Sequence, residues 1–149
     1  SLSMTRDVDG KQTKTEMTME DDNYQIKIND ETEDLMPTAY RTKLKELSRV
    51  RVPEFGDSIV QSMTETKEEN GNEVFTFVLY PEKVDSIVQT IETDVDLSEA
   101  EVTVESMTVV YTRNWAGGPL SYKISYQVKV KNADVSKITA ESLYTINYK

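Results

Sequence analysis

Leu120-Ser121-Tyr122-Lys123-Ile124-Ser125-Tyr126-Gln127-Val128-Lys129-Val130 alternates apolar and polar residues without a break. Successive residues of a strand point to opposite faces. This stretch is therefore a β-strand with one face in a core and the other in water. No other segment carries so strong a pattern, and no catalytic motif lies beside it.

Working outward, Asn114-Trp115-Ala116-Gly117-Gly118-Pro119 reads as a turn. Before it, Val102 and Val104 alternate in one phase and Met107, Val109 and Tyr111 in the other. A phase switch near Glu105-Ser106 predicts a β-bulge or a sharp bend. After Lys131 to Ser136, a last strand has Ala140, Ser142, Tyr144, Ile146 and Tyr148 in phase. Val74 to Tyr80 is apolar at both parities, which predicts a central strand covered on both sides. Pro81 to Thr93 changes period: Val84, Ile87, Val88 and Ile91 fall at i, i+3, i+4 and i+7. That spacing predicts a short amphipathic helix packed on a sheet.

At the other end, alternating runs flank Asp7-Val8-Asp9-Gly10, a hairpin signal. Tyr24 to Ile28 alternates again, so three short strands are expected here. Asn29 to Asp34 reads as an acidic loop. Met36-Pro37 opens a helix with Tyr40, Leu44 and Leu47 on one side. Asn70-Gly71 predicts a further hairpin between Ser58–Lys67 and Glu73–Tyr80. Asp94 to Ala100 reads as a polar loop. Asp57–Met63 and Asp85–Ile91 are similar in sequence, but two copies do not make a solenoid.

The chain has 149 residues, the size of one domain, 1–149, able to bury roughly 70% of its unfolded surface. Its net charge of −10 argues against nucleic acid and anionic membrane surfaces, which demand clustered Lys and Arg. With no Cys and no His, thiolate chemistry, Cys-ligated zinc and the commonest general base are all missing. Catalysis would have to rest on paired carboxylates or a Ser–Lys arrangement, and no spacing singles one out. The expectation is a non-enzyme with no cofactor and no metal. No signal peptide is visible. The chain opens Ser1-Leu2-Ser3-Met4, and a natural start with a signal or lipobox region is expected upstream.

From Gly71 to Lys131 the order is turn, strand, short helix, long strand, Gly-containing turn and second long strand. This order, with the Thr/Met-rich opening Met4 to Glu20, resembles bacterial envelope lipoproteins of the LolA/LppX-like class, including small Gram-positive ones. The resemblance covers about 100 of the residues. The lipobox Cys of that class is absent. The resemblance implies an α+β fold: a curved antiparallel half-barrel sheet packed against two or three short helices. It also implies an extracellular, envelope-anchored protein, attached to a membrane only through a lost lipid anchor. An acyl chain or other hydrophobic ligand would sit between sheet and helices. No set of ligand residues transfers from that class. By their own phase on the strand and helix, Tyr122, Ile124, Tyr126, Val84, Ile87 and Val88 would line that space, or form the core if it is filled. The alternative is a structural or protein-interaction module of the cell surface.

Trp115, the only Trp, either packs over the sheet edge or contacts a partner protein. Tyr111, Tyr122, Tyr126, Tyr144 and Tyr148 either line a binding face or form a cross-strand ladder. Asp7-Val8-Asp9-Gly10 begins like a calcium loop, but the twelfth position is Thr18, so a hairpin turn is favoured. Asp94, Asp96 and Glu99 are read as solvated rather than chelating.

Overall fold

The computed structural model describes residues 1–47, 57–84 and 100–146. It contains one nine-stranded antiparallel sheet: β1 (Leu2–Val8), β2 (Lys11–Glu20), β3 (Asn23–Ile28), β4 (Glu31–Asp34), β5 (Val60–Lys67), β6 (Glu73–Leu79), β7 (Glu101–Arg113), β8 (Pro119–Lys131) and β9 (Lys137–Thr145). The spatial order is β4-β3-β2-β1-β9-β8-β7-β6-β5. Two meanders thus meet where the first and last strands pair, from Leu2 opposite Tyr144 to Val8 opposite Ile138. The edges, β4 and β5, are not joined, so the sheet stays open.

This corrects the expected α+β architecture. Among the described residues there is one α-helix, α1 (Pro37–Leu47), and two single turns of 3₁₀ helix, at Asp57–Ile59 and Pro81–Lys83. Pro81 starts a turn as expected, but the Val84 N–H bonds back to Pro81 O, three residues away, which is 3₁₀ rather than α geometry. The rest of the Pro81–Thr93 helix, with Ile87 and Val88, lies outside the described residues, as does most of the Asp94–Ala100 loop. Asn29 to Asp34 is also corrected. Asn29 adopts φ 53° and Glu31–Asp34 pairs with β3 as a wholly exposed acidic edge strand. Like charges along an edge deter pairing with a second sheet. The strand Glu73–Leu79 lies one in from the other edge, and Val78 is exposed on the face expected to be covered.

Registry sorts the side chains into two faces. On the apolar face, Val109, Ile124 and Ser142 lie in one row across β7, β8 and β9, and Met107, Tyr126 and Ala140 in the next. Leu79, Val84, Val102, Val104, Val128, Val130 and Ile138 complete this core. A second cluster joins Leu2, Met17 and Ile26 of the sheet to Tyr40 of α1, with Leu44 packed against it. Tyr24 meets Tyr40 edge-to-face at 5.2 Å. Burial pushes the Tyr40 hydroxyl pKa up, with smaller effects from Tyr144 and Tyr24. The bulge expected near Glu105-Ser106 is present as a register shift between Val104 and Ser106. It keeps both Val104 and Met107 on the apolar face, despite their odd spacing.

The expected turn between β1 and β2 is also there. Asp9 and Gly10 both have positive φ, 52° and 89°, as a type I′ turn requires. The turn is tied to the far end of the chain. The Asp9 carboxylate accepts hydrogen bonds from Ser136 N at 3.0 Å, Ser136 Oγ at 2.6 Å and Lys137 N at 2.8 Å.

Candidate functional site: a groove on the hydroxyl face

The other face of the sheet interleaves Ser and Thr with charged side chains such as Lys14, Lys123, Lys129 and Glu141. A groove of about 850 Å³ crosses five of its strands, β7, β8, β9, β1 and β2. Register builds it from two rows. In one, Ser106, Gln127, Thr139, Asp7 and Gln12 lie opposite one another in succession. In the next, Thr108, Ser125, Glu141 and Thr5 do the same. Gly10 and Lys137 contribute at one end. With strands about 4.8 Å apart, five strands give a trough about 19 Å long.

Its polar groups differ in how far they are engaged. Asp7 Oδ1 accepts the Gly10 N–H at 2.8 Å, closing the hairpin turn. Glu141 lies 3.4 Å from the Lys123 ammonium. By contrast, the side chains of Thr5, Ser106, Thr108, Ser125, Gln127 and Thr139 hydrogen-bond to no other side chain or backbone group among the described residues. They present five hydroxyls and one amide to solvent, all able both to donate and to accept.

Of the six residues expected to line a hydrophobic cavity, three are buried, Tyr122 is half-buried, and Ile87 and Val88 lie outside the described residues. Val84, Ile124 and Tyr126 retain 0, 2 and 4% of their accessible surface. A void large enough for an acyl chain would itself admit water-sized contact, so these side chains border none. Tyr126 also borders the groove, through a strand whose alternation turns its ring to the apolar face. Tyr122 is half-buried. Its ring stacks on Tyr111 at 5.0 Å, and Tyr111 stacks on Phe75 at 6.0 Å. Arg113 closes the row, 4.8 Å over Phe75 and paired through Nε and a terminal nitrogen with Glu73 Oε2 at 2.6 and 2.5 Å. These rings turn their faces to each other, which is the ladder arrangement.

Trp115 is 80% exposed at the tip of the β7–β8 hairpin. Its Cβ lies 3.5 Å from the place where a Cβ on Gly71, in the neighbouring β5–β6 turn, would stand. The Asp7–Gly10 segment is a turn whose two carboxylates face backbone N–H groups, as given above. No cluster of three or more metal-ligating side chains occurs among the described residues; Asp94, Asp96 and Glu99 lie outside them.

Sequence reasoning placed its site on the apolar side of β8 and missed the groove. The signal was present in the wet phase of the same strand, Ser125 and Gln127, but its neighbours could be found only from the strand order. No family model and no curated protein matches the chain.

Proposed function

We propose that this chain is a non-catalytic recognition module of a bacterial cell surface, with its apolar side filled and its partner taken up in the groove of the hydroxyl face. The observation that carries this reading is the array of uncommitted hydroxyl and amide side chains across four strands, β7, β8, β9 and β1. Its counterpart is the closure of Val84, Ile124 and Tyr126. Placement at the cell envelope rests on the lipoprotein resemblance alone, whose order of strand, short helix, long strand, turn and long strand is met here by β6, a 3₁₀ turn in place of the start of the helix, β7 and β8.

The lipid-carrier alternative requires accessible apolar surface at those three residues and is the less favoured of the two. A hydrolase would require two poised carboxylates. Asp7 and Glu141 both reach the groove, yet one is engaged by Gly10 N and the other faces Lys123.

Amide chemical shifts of the full chain, titrated in turn with a neutral oligosaccharide, a cationic peptide and a fatty acid, test this reading. At least one polar probe is expected to move the amides of residues 106–108, 125–127 and 139–141, and to be recovered uncleaved. A fatty acid that moves Val84, Ile124 and Tyr126 while both polar probes leave the groove unmoved would overturn it.

A further inference from the structure

Granting that the groove is the binding site, we infer that its ligand is a neutral polyhydroxyl chain, a glycan without acidic groups, lying across the strands. Three features of the groove select this class. The first is donor and acceptor type. Thr5, Ser106, Thr108, Ser125 and Thr139 each offer a hydroxyl, and Gln127 an amide. Such groups match a ligand whose own groups donate and accept at close intervals, as sugar hydroxyls do. A ligand of one charge sign would use half of that capacity.

Charge is the second. The groove carries Asp7 and Glu141 against Lys137, within a chain of net charge −10. On the same face Lys14 continues the second row opposite Thr5, and Lys123 and Lys129 flank the groove. Its carboxylates and ammonium groups therefore nearly balance and neither sign of charge is favoured locally, while the net charge of the chain disfavours a polyanion at long range. A cationic peptide would meet only two carboxylates, Asp7 engaged by Gly10 N and Glu141 faced by Lys123. The third is repeat. Groove residues recur once per strand, about every 4.8 Å, a spacing comparable with one pyranose unit. A chain laid across β7, β8, β9, β1 and β2 therefore meets a fresh polar side chain at each unit.

Aromatic stacking, a common source of sugar affinity, is not offered in the groove. The rings of Phe75, Tyr111 and Tyr122 are on the opposite face and stack on one another. Binding through hydrogen bonds exchanged with water gives a small net gain for each. Affinity for a short oligomer is expected at about millimolar and rises with chain length.

The test is an NMR titration of the full chain with hexasaccharides of β-linked glucose, α-linked glucose and N-acetylglucosamine. Hexagalacturonate and hexa-arginine serve as the acidic and cationic comparisons. At least one neutral hexasaccharide is expected to shift the amides of residues 5–7, 106–108, 125–127 and 139–141, and hexagalacturonate to leave them unmoved. Gln127→Ala weakens that binding about fivefold and Ser125→Leu more, while Thr64→Ala, on the same face but outside the groove, leaves it unchanged. No shift with any neutral hexasaccharide at about 10 mM overturns the inference, as does equal binding of hexagalacturonate. Groove shifts with hexa-arginine alone also overturn it, while leaving the groove as the binding site. Shifts from no polar probe at all count against both.

Discussion

Replacing Ile124 by Ala separates a sealed core from a ligand cavity more sharply than any other single change. Ile124 is 2% exposed and lies between Val109 on β7 and Ser142 on β9, at the centre of the main apolar cluster. The substitution removes three carbons, about 2.4 kcal/mol of transfer free energy at ~0.8 kcal/mol each. A packed sheet core collapses only partly around the gap. The residual cavity brings the total to about 3.5 kcal/mol, inside the ~2–5 kcal/mol range for such truncations. For a chain of this length that lowers Tm by about 10 °C. Urea unfolding followed by far-UV circular dichroism gives the difference directly. If Ile124 instead bordered a space open to a ligand, the cavity would already exist and part of the side chain would already be wet. The cost would then fall below about 1 kcal/mol. A value that low would refute the filled core. Thr108→Ala, on the opposite face, is expected to stay within about 0.5 kcal/mol of the parent.

Three more outcomes follow from local geometry. The Ser136 hydroxyl, then the Ser136 and Lys137 N–H groups, hold the Asp9 carboxyl below the ordinary Asp range. A depressed carboxylate stabilises the fold above its unfolded pKa and loses that effect as pH falls through its folded value. Asp9→Asn should therefore flatten the acid limb of the stability profile, and an Asp9 titrating at or above the ordinary range by NMR would contradict the turn geometry. Trp115→Ala should change stability by less than about 0.5 kcal/mol, with parent fluorescence strongly quenched by iodide; a loss above about 2 kcal/mol would mean the ring is packed. Glu73 and Arg113 lie directly opposite and are partly exposed. A double-mutant cycle with Glu73→Gln and Arg113→Lys should return a coupling of about 0.5–1 kcal/mol, and a coupling near zero would contradict the pairing.

Much of this fold could be read from period alone. The alternation of Leu120–Val130, the Asp9-Gly10 and Asn70-Gly71 turns, the bulge at Glu105-Ser106 and the helix after Pro37 are local features, and local sterics set them. β4 was not legible, because Glu31-Thr32-Glu33-Asp34 has no apolar phase; its strand state comes from pairing with Gln25–Ile28. The pairing of β1 with β9 spans nearly the whole sequence and has no local signal. That pairing brings Thr5 and Asp7 beside Thr139 and Glu141, so the groove was invisible for the same reason. On the apolar side, the residues expected to line a cavity were placed on the right face of β8, but alternation cannot tell a lined space from a filled one.

Relaxation of methyl signals by a soluble gadolinium chelate reads both faces of the sheet in one experiment. The methyl groups of Val109, Ile124, Val128 and Ile138 should be left nearly untouched, and those of Thr5, Thr108 and Thr139 should relax strongly. Strong relaxation at Ile124 and Val109, with the groove threonines protected, would contradict the assignment of a closed apolar face and an open hydroxyl one.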